Sequence, residues 1–192
     1  SPLTISAIAS PLPNANGWNN TNVTVSYSCS GGVPPILCPG PQTVVTEGAN
    51  QLVAATATDA NGNAATVSVI LNIDKTAPAI TATVTPAPVN GVVTAPATVT
   101  FTCTDALSGV ASCPAPVNVT TAGANQTFSG TDSDRAGNSA SASVTLNVEL
   151  AALAVTATAT PAANANGWNN SNVTITYACT GGVPPVQCPA AK

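Results

Sequence analysis

Charge, aromatic rings and histidine are what this sequence has least of: charged residues make up 5% of its 192 positions, aromatic residues 3%, and histidine is absent. Each shortage removes a class of function. Catalysis requires a nucleophile beside a base, paired carboxylates in a cleft, or a metal. A chain without imidazole and with so few carboxylates lacks those materials, and we expect neither an enzyme nor an obligatory cofactor. Three basic residues, Lys75, Arg135 and Lys192, in a chain of net charge −4 leave no positive surface for phosphate or anionic lipid, which excludes nucleic acid as a partner. No apolar run approaches the roughly 18 residues of a membrane span, and no basic stretch followed by an apolar run marks a signal peptide. Beginning at Ser1, the chain reads as a processed or excised piece of a longer secreted protein.

Threonine, serine, asparagine, alanine and valine fill the space. Low charge argues against a solvated disordered tail, and abundant Val and Thr favour strands. The chain therefore reads as folded and β-rich, with polar faces made of hydroxyls and amides. It also repeats itself. The run from Asn14 through Trp18 to Cys29 returns almost unchanged from Asn164 through Trp168 to Cys179. A weaker copy lies between, with Asn90-Gly91-Val92 for Asn-Gly-Trp and Thr98 to Cys103 for the strand-like run. The period of about 75 residues divides the chain into 1–74, 75–149 and the front half of a third repeat, 150–192. Units of this kind build linear arrays in which each contacts mainly its neighbours.

Within a repeat the apolar residues alternate. Val23, Val25, Tyr27 and Cys29 share one face, as do Val99, Phe101 and Cys103, and Val173, Ile175, Tyr177 and Cys179. The last strand reads likewise in Val67, Val69, Leu71 and Ile73, and in Ala142, Val144, Leu146 and Val148. Inward apolar and outward hydroxyl residues are the pattern of a half-buried antiparallel strand. Ile80, Ala82 and Val84 mark an opening strand, and shorter ones are expected at Val44-Val45 and from Gln51 to Thr58. Gly- and Pro-rich punctuation every 8 to 12 residues or so, without helical periodicity, points to small β-sandwiches. Asp74 to Pro78 and Glu149 to Leu153 are too short for flexible tethers, so we expect a semi-rigid array of about 35 Å per unit.

The six cysteines fall as local pairs that travel with the repeat: Cys29 with Cys38, Cys103 with Cys113, and Cys179 with Cys188. Pairing inside each unit is the economical connectivity. A zinc site is the alternative, but this spacing without histidine suits zinc poorly. Disulfides place the chain in an oxidising compartment. Closing a loop of about ten residues contributes on the order of 2 to 3 kcal/mol, which matters to a small unit with few large side chains.

Three further motifs, Asp74-Lys-Thr-Ala-Pro78, Thr98-Val-Thr-Phe-Thr-Cys-Thr-Asp-Ala-Leu-Ser-Gly109 and Asp134-Arg-Ala-Gly-Asn138, resemble the tandem bacterial immunoglobulin-like repeats of large secreted and cell-surface proteins. The resemblance covers the whole chain and implies immunoglobulin-like sandwiches serving as stalk, spacer or adhesive segment. The cysteines depart from the antibody pattern. Both lie in the front half of the unit, so they cannot join the second and sixth strands and are expected to pin the loop after the second.

Candidate sites each have a plainer reading. Asp59-Ala-Asn61-Gly-Asn63 sets oxygens at alternate positions around a glycine, as a calcium loop does, yet a hairpin turn capped by its Asp explains the same residues. In the second unit Asp132 joins Asp134 on one strand face and Asn138 closes the turn, making that copy the better calcium candidate. Trp18 and Trp168, each in Asn-Gly-Trp-Asn-Asn, either pack against a core end or a neighbouring repeat, or stack on a sugar. Asn19, Asn22, Asn118, Asn125, Asn169 and Asn172 open N-glycosylation sequons, a signal that Asn- and Thr-rich strands also generate by composition.

The leading expectation is a non-enzymatic structural segment of an extracellular or cell-surface stalk, adhesin or fibre. Its partners would be copies of itself or adjacent repeats of a longer chain. The alternative is a carbohydrate-binding accessory module of a secreted enzyme, with surface glycans as ligand. Residues 153 to 192 lack counterparts of Gln51 to Ile73, so Val173, Ile175 and Tyr177 need a facing sheet from elsewhere, either strands of another chain in a polymer or the continuation of a longer one.

Overall fold

Alternation along the sequence becomes strands throughout. The computed structural model describes residues 1–94, 96–183 and 185–192 and contains no helix among them. The first repeat supplies β1 (Thr4–Ser10), β2 (Val23–Ser30), β3 (Gln42–Val44), β4 (Gly48–Thr58) and β5 (Ala64–Ile73). β2 lies between β1 and β3, antiparallel to both, with Ala9 opposite Val25 and Val23 opposite Val44. β4 and β5 form a second antiparallel sheet with Val53 opposite Val69. Val23, Val25, Val53, Leu71 and Ile73 make the core between the sheets. Full burial of each large aliphatic side chain contributes about 1.5–3 kcal/mol. The outward faces are zipped by hydroxyls, as in Thr24 with Thr43 at 2.9 Å and Thr4 with Ser30 at 2.8 Å. After β1 the chain crosses over, and Asn19 bridges Ile73 of β5 in parallel.

The second repeat repeats this order with β6 (Ala79–Thr85), β7 (Val92–Val93), β8 (Ala97–Thr104), β9 (Val110–Ser112), β10 (Val117–Val119), β11 (Gly123–Asp134) and β12 (Ser139–Val148). Its sheets run β10-β8-β6 and β7-β12-β11-β9. Val99, Val119, Leu146 and Val148 are buried where the first repeat buries Val25, Leu71 and Ile73 and half-buries Val44. The two-residue β7, parallel to the end of β12, takes the place of the Asn19 bridge. No periodicity could announce so short a strand.

In the third repeat β13 (Ala154–Thr160) pairs with β14 (Thr174–Thr180) in the register of β1 with β2. Among the described residues no counterpart of β4 and β5 covers it. Val173 is 37% and Val155 54% exposed, while Val23, at the position matching Val173, is fully buried.

All three expected disulfides are formed, with Cα–Cα distances of 5.9, 5.9 and 5.6 Å in chain order. Each pins the loop after the second strand of its repeat. The first also ties the two sheets: Cys29 belongs to β2, and Leu37, beside Cys38, pairs its backbone with Thr58 of β4. Bridges of this kind belong to an oxidising compartment.

Contacts gather the chain into two compact units. One comprises Ser1–Ile80, Thr102–Pro114 and Thr131–Ser141; the other comprises Thr81–Phe101, Ala115–Gly130 and Ala142–Lys192. The first unit thus combines the whole first repeat with the linker 74–78 and with the β8–β9 loop and the β11–β12 turn of the second repeat.

Candidate functional site

The Asp59 turn is a closed hairpin. Oδ1 of Asp59 accepts the Asn61 and Asn63 backbone N–H groups at 3.0 and 2.9 Å, and Oδ2 accepts the Val33 N–H and the Asn63 amide at 3.0 Å each. These bonds, first that of the Asn63 side chain and then that of Val33, hold the Asp59 carboxyl below its ordinary range. Asn61 enters through its backbone alone among these contacts. The geometry is that of a capped turn with its acceptors committed.

The corresponding turn of the second repeat keeps the cap and adds company. Asp134 Oδ1 accepts from Gly137 N and Asn138 N at 2.7 and 2.8 Å, and Oδ2 from the Asn138 amide at 2.7 Å. Asp105, in the β8–β9 loop, accepts from Leu107 N, Ser108 Oγ and Gly109 N, all on Oδ1. Asp74, fully buried at the end of β5, accepts from Thr76 N at 3.1 Å and Ser108 N at 2.9 Å. Asp74, Asp105 and Asp134 each place a carboxylate oxygen within 4.8 Å of the others. Asp132, two residues before Asp134 and therefore on the same face of β11, is fully buried, and neither carboxylate oxygen has a hydrogen-bond partner. Burial pushes its carboxyl above the ordinary range, and the charges of Asp105 and Asp134 add to the rise, opposed only by the nearby Ser133 N–H dipole. Of this group, sequence reasoning found Asp132 and Asp134 and missed Asp74 and Asp105. The available signal was that Asp74 and Asp134 open, and Asp105 lies within, the three motifs singled out in the sequence.

Around this group the linker is held from both sides. Asn14 and Asn16, in the loop after β1, donate their amides to the Arg135 carbonyl at 2.8 and 3.1 Å, and Asn14 also reaches the Ala136 carbonyl at 3.1 Å. Asn138 donates to the carbonyls of Asp74 and Thr76 at 2.9 and 3.2 Å. Glu47 accepts from Lys75 N and Thr76 Oγ1, and the Lys75 ammonium bonds the Val45 carbonyl and Asn22 Oδ1 at 2.7 and 3.1 Å.

The two tryptophan loops fold alike, with Asn14 and Asn164 each accepting backbone N–H groups two and four residues on. Their surroundings differ. Trp18 is half-buried, whereas Trp168 is 74% exposed beside a cleft of about 250 Å³ lined by Pro161, Asn164 and Asn169. Of the sequon residues, Asn19 is buried with its amide bonded to the Pro11 and Leu12 carbonyls. Asn169 donates to the Pro161 carbonyl, and Asn22, Asn118, Asn125 and Asn172 are exposed.

Comparison of the chain with models of protein families, with curated proteins and with solved structures finds no match.

Proposed function

We propose that the chain is a non-enzymatic structural segment of an extracellular stalk, adhesin or fibre, composed of immunoglobulin-like sandwiches in series. The observation that carries this reading is the clasped linker. A tether needs freedom, but residues 74 to 76 are bonded to Glu47 and Asn22 of the first repeat and to Asn138 of the second, which suits a joint that transmits position or load. The strand order supports the immunoglobulin-like assignment: a first strand antiparallel to the second, then a crossover that runs parallel to the last strand. In an assembled fibre or longer chain, strands equivalent to β4 and β5 cover the open face of β14.

Trypsin tests the joint at Lys75. The native chain should resist cleavage there, and the Asn14→Ala/Asn138→Ala double variant should be cut while its circular dichroism stays unchanged. Rapid cutting of the native chain at Lys75 would sink the reading.

The exposed Trp168 beside its cleft favours a second reading, a carbohydrate-binding module. Retention on polysaccharide in affinity electrophoresis that disappears in Trp168→Ala would select it over the structural one.

A further inference from the structure

Three carboxylates converge in the first compact unit, those of Asp74, Asp105 and Asp134, with buried Asp132 two residues before Asp134 on β11 and little to neutralise them. Lys75, next to Asp74 in the chain, spends its ammonium on Val45 and Asn22, and Arg135, next to Asp134, is exposed. Like charges this close repel strongly in a low-dielectric setting. The hydrogen bonds to Asp74, Asp105 and Asp134 offset part of that cost, but Asp132 has none. A buried ionisable group without a partner requires an explanation, because the fold gains nothing from it.

The first repeat provides an internal control. At the position of Asp132 it carries Ala57, equally buried, and at that of Asp105 it carries Gly31. Gly31 sits at φ +72°, and a Cβ there would come within 2.0 Å of the Pro2 carbonyl oxygen. The sandwich therefore forms with a small apolar residue at one of these places and no side chain at the other. The end of the second repeat is a further control: Glu149 stands where Asp74 does, and its carboxylate accepts from Leu153 N at 3.1 Å. Among the described residues the carboxylate group belongs to one joint only.

We infer that Asp74, Asp105 and Asp134, backed by Asp132, bind one calcium ion. The ligand set is hard oxygen alone, with no histidine in the chain and every cysteine in a disulfide, which selects calcium or magnesium over transition metals. Calcium takes oxygens at 2.3–2.6 Å, so two ligands across the ion stand roughly 4.6–5.2 Å apart. Carboxylate oxygens within 4.8 Å of one another are close enough to share one such ion, and a set of protein carboxylates suits calcium better than magnesium, which keeps several of its waters. Among the described residues the hydrogen bonds to Asp105 all end on Oδ1, leaving Oδ2 for an ion. Asp74 and Asp105 also line an open cleft of about 510 Å³ shared with Glu47 and Thr76, through which the ion enters. Bound there, it ties the end of β5 to the β8–β9 loop and the β11–β12 turn.

Calorimetric titration and thermal melting of the whole, chelator-stripped chain test the site. Calcium should bind at one site per chain with a Kd on the order of 0.1–1 mM, the range of extracellular modules, and should raise the melting temperature. Sodium chloride at matched ionic strength should not. Asp132→Ala installs the residue of the first repeat and should melt no lower than the native chain in chelator, with calcium affinity weakened by about tenfold or more. Asp105→Asn should lose the response, and Asp59→Asn, in the capped turn, should keep it. Absence of heat and melting shift at about 10 mM calcium, well above that range, would overturn the site. So would an equal response to sodium, or a calcium response unaltered in both Asp132→Ala and Asp105→Asn.

Discussion

At the scale of single residues, the same Asp-x-x-Gly-Asn turn has two fates, set by what packs over it. Asp59 is surrounded by N–H donors and stands as an isolated anion. Its carboxyl is held below its ordinary value by bonds that exist only in the folded state. The folded carboxyl then releases its proton at lower pH than the unfolded one. Its stabilisation is complete above the ordinary pKa of 3.8 and is lost as pH falls through the depressed folded value. Asp59→Asn should therefore melt below the native chain at neutral pH, and the gap should close on acidification below that window. A gap that stays constant from pH 7 to about pH 2 would mean that ionisation is not what the turn uses.

At the scale of elements, strand alternation sorts residues that look equivalent in composition. Ile70 and Ile73 lie three positions apart in β5, yet Ile73 is fully buried and Ile70 is 65% exposed. Period-two geometry puts them on opposite faces. Ile73→Ala should cost about 2–5 kcal/mol in urea unfolding, from lost transfer energy and a residual cavity. Ile70→Ala should stay within about 0.5 kcal/mol. Comparable losses at both positions would contradict the register of β4 with β5. The disulfides work at the same scale: each closes a short loop beside the second strand, so reduction should lower the melting temperature while the β circular dichroism signal at room temperature persists.

At the scale of the whole chain, the third repeat presents the face that the first repeat buries. Val173, Ile175 and Tyr177 occupy the positions of Val23, Val25 and Tyr27, and Lys192 pairs its backbone with Ile175 as Gln42 pairs with Val25. A dye that fluoresces on apolar surface should bind this face. Appending a copy of residues 43–74 after Lys192, which supplies the rest of β3 together with β4 and β5, should abolish that binding. Undiminished dye binding by the extended chain would place the apolar surface elsewhere.

The repeat, the strands and the disulfide pairs were legible in the sequence because each is a local pattern. Alternation in β2, β5, β8 and β12 names the inward face directly, and the cysteine pairs recur with the period. The capped turn at Asp59 was legible for the same reason, since its donors lie within four residues except for Val33. What tertiary structure alone decided is long-range. Asp74, Asp105 and Asp134 are about thirty residues apart from one to the next, and only the crossing of the chain between sheets brings their carboxylates together. Whether a tryptophan loop is engaged or bare also lay beyond its own residues: the loops of Trp18 and Trp168 are nearly identical in sequence and local hydrogen bonding. The loop of Trp18 is in addition bonded to the carbonyls of Arg135 and Ala136 and to Asn72 of β5. A local pattern fixes backbone direction and facing, whereas a site assembled from distant segments depends on how the sheets stack, which no single stretch of sequence encodes.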